Sequence, residues 1–180
     1  MKFSSQLALV CLATGAYSRT VIERDLKVVT GVLSQVQTGI DNLDTVVKAF
    51  NDNPAPLTSA SSKLVSTIKS GTTTIKGSSN LGLFEALALL QPVQDLQAHS
   101  KTLSDDLKAK RPAIQTAKQC DVTRQHISDI ITASQALIDA VVSKVPKLAQ
   151  GIAADQAAGI SKVLNKAAAD FAPGSCTNAA

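Results

Sequence analysis

The sequence predicts an all-α fold, an antiparallel bundle of about five amphipathic helices with one disulfide. Apolar residues recur at intervals of three and four along most of the chain, and no long stretch alternates apolar with polar residues as a strand would. Breaks rich in proline, glycine and asparagine divide this pattern into segments of helical length. With 180 residues, 44% of them hydrophobic, the chain is long enough to bury the core of a single domain.

The N-terminus, residues 1–18, has the pattern of a secretory signal peptide. A charged start is followed by the apolar run 7–13 and by small residues at Ala16 and Ser18, the kind of residues a signal peptidase reads. The apolar run is shorter than the roughly 20 residues that cross a bilayer, and no later segment predicts a transmembrane helix or a lipid anchor. We therefore predict cleavage after Ser18, with Ala16 as the alternative, and a secreted helical domain over 19–180.

The first helix of the mature chain carries the strongest periodic signal. Thr20 followed by Glu23 has the capping-box pattern that begins a helix. Over 22–50, apolar residues are spaced alternately by four and three, which is the seam of four heptads. The helix-breaking segment 51–56 ends this helix, and a second helix is predicted over about 57–76.

Three further helices are predicted, with boundaries set by glycine and proline. The expected turns, bends and breaks are at 77–80, Pro92, 111–112, Pro146 and 173–174. The third helix begins near Gly82, and Asp121 is expected to cap the fourth. Because the connections are short, successive helices are expected to be antiparallel neighbours.

The cysteines predict a disulfide. Cys11 leaves with the signal peptide, and Cys120 and Cys176 remain to pair in an oxidising compartment. The alternative, a nucleophilic thiol, would need a histidine partner, and only His99 and His126 are present. His126 lies in a predicted helix and is expected to be solvated. The antiparallel order places both cysteines at the same end of the bundle, which supports the pairing.

The residue patterns of an enzyme are missing from the sequence. There is no Gly-x-Ser-x-Gly elbow, no phosphate-binding glycine-rich loop and no His-Glu-x-x-His pair. The net charge of +4 is spread along the chain, without the basic face and stacking aromatics that nucleic-acid binding requires. We therefore predict a non-enzymatic protein with no catalytic residues, no cofactor, no metal site and no nucleic-acid partner.

Five polar residues interrupt the apolar helix faces and are candidate ligand anchors. One interpretation is that such small residues let helices approach closely, with their hydroxyls bonded to the backbone. The other is a bundle with an incompletely filled centre, in which polar groups hold the head of an acyl ligand. The candidate anchors are Ser61, Thr72, Ser100, Ser134 and Gln156. The candidate apolar lining is Leu64, Ile68, Leu103, Ile130, Leu137 and Ile160.

Several features together resemble one known family. They are the signal peptide, the Arg24-Asp25 pair, the long heptad helix ending at 47–50, a mid-chain Ser/Gly-rich turn, and Val145-Pro146 with Leu148. This pattern is similar to the fungal hydrophobic surface-binding protein A family, also called the cell-wall galactomannoprotein family. The resemblance implies a secreted or wall-associated helical bundle, and some members adsorb to hydrophobic surfaces and recruit polyester-degrading hydrolases. Others hold fatty acids in a central pocket and are immunogenic wall mannoproteins.

Two functions of different class follow as hypotheses. The first is a secreted carrier that encloses a long-chain fatty acid in the bundle. The second is a surface-active adhesion protein, whose amphipathic helices spread on a hydrophobic surface and which recruits a secreted hydrolase. An antigenic structural cell-wall mannoprotein is a further alternative. The chain has no Asn-x-Ser/Thr acceptor and no long Ser/Thr-rich stalk, so release into the medium is favoured over wall attachment.

Overall fold

The computed structural model describes the backbone of residues 5–180 and the side chains of residues 25–180. Over this part of the chain it contains seven α-helices, one 3-10 helix and no strand, which confirms the predicted all-α class. The helices are α1 Ser5–Lys48, α2 Ala55–Lys76, α3 Leu83–Ala88, α4 Leu90–Ala109, α5 Arg111–Thr116, α6 Cys120–Lys144 and α7 Gln150–Asp170, with the 3-10 helix Lys147–Ala149 before α7. The proposed cleavage site of the signal peptide lies outside the described side chains, so the signal peptide stays a prediction.

Prolines set the interruptions between α3 and α7, as predicted. Pro92 lacks the N–H that would bond the carbonyl four residues back, and the α-helix is interrupted upstream of it, at Leu89. Pro112 has the same effect at Lys110, between α4 and α5. Pro146 has extended backbone and separates α6 from the 3-10 helix.

Two predicted helix starts are wrong. The backbone of α1 is continuous through Thr20, so the capping box predicted there does not begin the helix. Asp121 does not cap α6, which begins at Cys120; the Cys120 N–H donates instead to the Oδ1 atom of Asn178 at 3.0 Å. Asp121 instead lies in the first turn, where its carboxylate pairs with Arg124 and interacts favourably with the positive end of the helix dipole.

The five long helices form a closed ring. In ring order, α1 packs on α2, α2 on α6, α6 on α7, α7 on α4, and α4 on α1. Directions alternate along the chain, as the predicted bundle requires. For example, α1 and α2 run antiparallel, because Gly39 lies against Leu64 and Gly71 against Val32.

The prediction that successive helices are neighbours is wrong for α4. Gln37 bonds His99 and Lys110 donates to the Phe50 carbonyl, so α4 runs parallel to α1. Its other partner is α7, whose Lys166 pairs with Asp105 of α4. The ring therefore encloses a central axis that faces all five long helices.

The predicted disulfide joins Cys120 to Cys176 and is confirmed, with 5.6 Å between the two Cα atoms. It ties the start of α6 to the segment after α7. Arg124 strengthens the same junction by donating to the carbonyls of Phe171, at 2.9 Å, and of Cys176, at 3.2 Å. Both cysteines and Phe171 are buried. Among the described helices, none is long and apolar enough to cross a membrane.

Candidate ligand-binding cavity

A cavity of about 100 Å³ lies inside the ring and is lined by all five long helices. This volume is several times the roughly 10–15 Å³ that holds one water molecule, and the wall is mostly aliphatic. All six residues predicted as apolar lining lie in this wall: Leu64, Ile68, Leu103, Ile130, Leu137 and Ile160. The helix faces read from the sequence therefore converge on one space.

A second cavity of about 70 Å³ lies next to the first, lined mainly by α3, α4, α6 and α7. Four aliphatic side chains belong to the walls of both cavities: Leu96, Leu137, Ile138 and Ile160. They form a partition between the two spaces. The core therefore contains a divided apolar slot that follows the bundle axis.

Four of the five predicted polar anchors line these cavities. Ser61, Ser100 and Ser134 line the larger cavity, from α2, α4 and α6, and Gln156 of α7 lines the smaller one. The Ser100 hydroxyl donates to the Leu96 carbonyl at 2.8 Å, so its only proton is already used. Ser100 can therefore accept from a ligand but does not donate to it.

The fifth predicted anchor, Thr72, is not brought to either of these cavities, and that expectation is corrected. It is buried on α2, and its hydroxyl donates to the Ile68 carbonyl at 2.8 Å. This is the backbone-bonded arrangement that β-hydroxyl residues adopt inside helices. For Thr72 the packing interpretation is the correct one.

Two hydroxyls of the larger cavity were not predicted. Ser104 of α4 is 6% exposed and Thr123 of α6 is 3% exposed, and both line the wall. Among the described residues, neither buried hydroxyl oxygen has a hydrogen-bond partner. A buried hydroxyl left unpaired costs about 1–3 kcal/mol. Both groups are therefore free to bond a polar ligand head.

His126 also lines the larger cavity, so the expectation that it is solvated is wrong. It is partly buried, and its Nε2 atom lies 3.4 Å from the hydroxyl of Thr58. Among the described residues, it is the only titratable side chain in the walls of these two cavities. Its position one turn before Ile130 would have predicted this, since residues four apart share a helix face.

The ion pairs around Asp105 lie on the outer surface. Hydrogen bonds from Lys101 and Lys166 lower the pKa of Asp105, and the bond to Asp105 raises the pKa of Lys166. The Lys166–Asp105 pair ties α7 to α4 outside the ring, whereas the Lys101–Asp105 pair lies within α4. Over residues 25–180, no cluster of three His, Cys, Asp or Glu side chains could hold a metal ion.

Solved structures share this fold. Ligand binding domain 1 of the Penicillium marneffei MP1 protein, complexed with arachidonic acids, matches with a TM-score of 0.79 and 21% identity, over 83% of this chain and 99% of that domain. AFMP4P in complex with palmitic acid matches with a TM-score of 0.76 and 19% identity, over 82% of this chain and 99% of that chain. At these identities the likeness shows the helical fold.

Sequence comparison is more specific. Cell wall mannoprotein 1 of Aspergillus fumigatus is 34% identical over 167 residues, which are 92% of this chain and 58% of that protein. Its counterpart in Aspergillus flavus is also 34% identical, over 92% and 61% respectively. The chain thus spans less than two thirds of the length of these curated relatives. The model of the family called hydrophobic surface binding protein A matches residues 26–143, so the chain belongs to that family.

Proposed function

We propose that this protein binds a long-chain fatty acid inside the helix ring. The observation that carries the proposal is the central cavity, which combines an aliphatic wall with the two unpaired hydroxyls of Ser104 and Thr123. Support comes from the fold, which is shared with domains whose structures contain arachidonic or palmitic acid. Apolar pockets with few placed polar groups are typical of small-molecule sites.

The divided slot holds part of an acyl chain, since an apolar cavity of about 150 Å³ takes a ligand of about six carbons, and it would widen as a longer chain enters. Each methylene moved from water into an apolar wall contributes about 0.8 kcal/mol, so about ten of them offset an association cost of several kcal/mol. The partition consists of aliphatic side chains alone, and the two cavities would join into one longer channel if these side chains moved aside. A flexible chain can follow such a channel, whereas a rigid planar ligand cannot.

The carboxylate of the ligand would lie at Ser104 and Thr123. Each hydroxyl donates one hydrogen bond, and bonds to a charged acceptor contribute about 1.5–3 kcal/mol. His126 lies in the same wall, where a ring N–H can donate a further hydrogen bond. The predicted anchors Ser61 and Ser134 are further candidates in this cavity, whereas Gln156 would contact the chain in the smaller one.

Titration of the delipidated protein with palmitic acid tests the proposal. We expect saturable binding by calorimetry and a bound acyl chain in native mass spectra. Palmitic acid methyl ester is the matched control, because it keeps the chain and loses the carboxylate; it should bind about tenfold more weakly. No affinity for either ligand, together with a ligand-free mass after purification, would refute the proposal.

We further infer that the protein acts outside the cell and without catalysis. The signal-peptide pattern of residues 1–18 and the similarity to cell wall mannoproteins support an extracellular site. Recovery from the culture medium of a chain that begins at Arg19 is the expected result. A full-length chain retained inside the cell would contradict this inference.

A second candidate function is adsorption to an apolar solid such as wax or polyester, followed by recruitment of a secreted hydrolase. Membership in the hydrophobic surface binding protein A family favours it. The protein should be depleted from solution by hydrophobic beads and should then retain added polyesterase on them. Equal recovery from hydrophobic and hydrophilic beads would exclude this function.

A further inference from the structure

Most of the exposed large apolar side chains gather at one end of the bundle. Six such side chains are exposed within the described part of the chain, and five of them lie on α3, on the 3-10 helix and in the first turn of α7. We call these five the apolar tip: Leu83, Phe84, Leu87, Leu148 and Ile152. The sixth, Val122, lies in the first turn of α6, at the opposite end.

The two most exposed members of the apolar tip do not contribute to the core. Phe84 is 85% exposed and Leu148 is 87% exposed. By contrast, the other phenylalanines of the described region, Phe50 and Phe171, are 7% and 1% exposed. Single exposed apolar side chains are ordinary, but a cluster of five is typical of an interaction site.

The apolar tip is also the outer wall of the smaller cavity. Leu87 and Ile152 belong both to the tip and to the lining of that cavity. Beneath the tip lies a separate core of only three buried residues, Ala86, Val145 and Ala149. An element held by so few buried contacts opens at low free energy, so this end is the weakest part of the wall.

Basic groups accompany the apolar tip. Lys147 precedes Leu148 on the 3-10 helix, and Lys144 and Lys76 lie at the ends of α6 and α2, where the Lys144 ammonium donates to the Lys76 carbonyl at 3.0 Å. The acidic groups nearest the tip are Asp25, which accepts from the Ser79 amide, and Glu85, which is buried and bonded to the Gly82 amide; Asp95, Asp139 and Asp155 each lie five residues further inside their helices. The whole chain carries a net charge of +4. Lys76 and Lys147 are exposed, whereas Lys144 is half-buried and its ammonium also donates to the Ser78 carbonyl at 2.6 Å. Apolar side chains beside two exposed lysines fit the interface of an anionic lipid layer.

We propose that the apolar tip docks on the surface of an anionic lipid bilayer and that fatty acid passes there between the bilayer and the smaller cavity. This inference rests on the proposed fatty-acid function, and it adds where and from what the ligand is taken. A bilayer that contains free fatty acids is itself anionic. Docking by the tip places the weakest part of the cavity wall against the acyl layer, so the ligand need not cross water.

Vesicle flotation tests the docking step. The protein should float with vesicles of phosphatidylcholine and phosphatidylglycerol, and less with vesicles of phosphatidylcholine alone. The double variant Phe84→Ser/Leu148→Ser should bind the anionic vesicles about 100-fold more weakly, because two fully exposed apolar side chains are lost from the contact. Neither Phe84 nor Leu148 lines a cavity described above, so the affinity of the double variant for palmitic acid should stay within about twofold of that of the unmodified protein. Val122→Ser, at the opposite end, is the matched control and should float normally.

Transfer kinetics test the exchange step. The rate at which a fluorescent fatty acid leaves the loaded protein should rise with vesicle concentration, and the double variant should lose this dependence. The inference is overturned by a transfer rate independent of vesicle concentration, by normal flotation of the double variant, or by an equal loss in Val122→Ser. If the double substitution only converts a dimer to a monomer in sedimentation experiments, the apolar tip is a self-association surface and the inference is overturned. Vesicle binding without any palmitic acid affinity would refute the proposed function and leave the docking surface standing.

Discussion

The two unpaired hydroxyls of the central cavity allow stability and binding to be separated. Ser104→Ala and Thr123→Val each remove a buried polar group that lacks a partner among the described residues, and valine keeps the shape of threonine. We expect both variants to be more stable than the unmodified protein without ligand, and to bind fatty acid more weakly. Opposite signs for these two effects are typical of groups retained for function at some expense of stability.

The magnitudes follow from the burial of the two groups. An unsatisfied buried hydroxyl costs about 1–3 kcal/mol, so each substitution should raise the free energy of unfolding by about 1 kcal/mol. In a domain of this size that corresponds to a rise in Tm of about 2–4 °C. The lost bond to a carboxylate should weaken fatty-acid binding about tenfold per hydroxyl.

Urea unfolding of the delipidated variants and calorimetric titration with palmitic acid give the two quantities. Thr72→Val is the control, because Thr72 is a buried threonine outside both cavities whose hydroxyl bonds the Ile68 carbonyl. It should lose about 1 kcal/mol of stability and keep its affinity, the reverse of Thr123→Val. If Ser104→Ala and Thr123→Val destabilise the ligand-free fold, or if both bind palmitic acid as tightly as the unmodified protein, the reasoning is wrong.

Three further predictions concern the scaffold. Replacing Cys120 and Cys176 by serine opens a disulfide loop of 56 residues and should lower the free energy of unfolding by about 4 kcal/mol in urea titrations. Gly71→Ala places a Cβ atom 2.5 Å from a valine methyl of α1 and should cost about 1–3 kcal/mol, whereas Gly31→Ala meets nothing within 4 Å and should stabilise by about 0.5–1 kcal/mol in thermal melts. Asp105→Asn removes a carboxylate whose pKa is lowered in the folded protein by hydrogen bonds from lysines. In urea titrations at different pH values, the variant should be less stable than the unmodified protein above the ordinary pKa of 3.8. This difference should vanish as the pH falls through the lower pKa of the folded state.

Much of the fold could be predicted because its signals are local. The heptad spacing predicts which face of α1 is buried. Pro92, Pro112 and Pro146 predict interruptions because a proline lacks the N–H that the helix needs within the same turn, whatever the helix packs against. The order of helices around the ring could not be predicted in this way. Short connections fix direction, but the partner of α4 depends on how well its face fits α1 and α7, which is a property of the assembled core.

The candidate site was predicted in part for a related reason. A helix that faces one partner shows a narrow apolar stripe, whereas α4 borders a cavity and two neighbours, so its inward face is wider. Ser104 directly follows Leu103 in the sequence, so it lies to one side of the apolar stripe that contains Leu103 and is missed when the stripe is taken as narrow. Thr123 is different, because it precedes Ile127 by one turn and its inward position follows from the ordinary spacing. That its hydroxyl lacks a hydrogen-bond partner could not be predicted, because this depends on how the assembled helices pack around it.

The cavities and the disulfide are energetically connected. At about 24 cal/mol per Å³, cavities of about 100 and 70 Å³ cost the ligand-free fold about 4 kcal/mol. The disulfide between Cys120 and Cys176 contributes about the same amount by restricting the unfolded chain. It closes the ring between the start of α6 and the end of α7, two helices that both line the two cavities. The covalent link thus lets an aliphatic bundle keep open space that a tighter core would fill, and a ligand that fills this space should replace much of the stability that reduction removes.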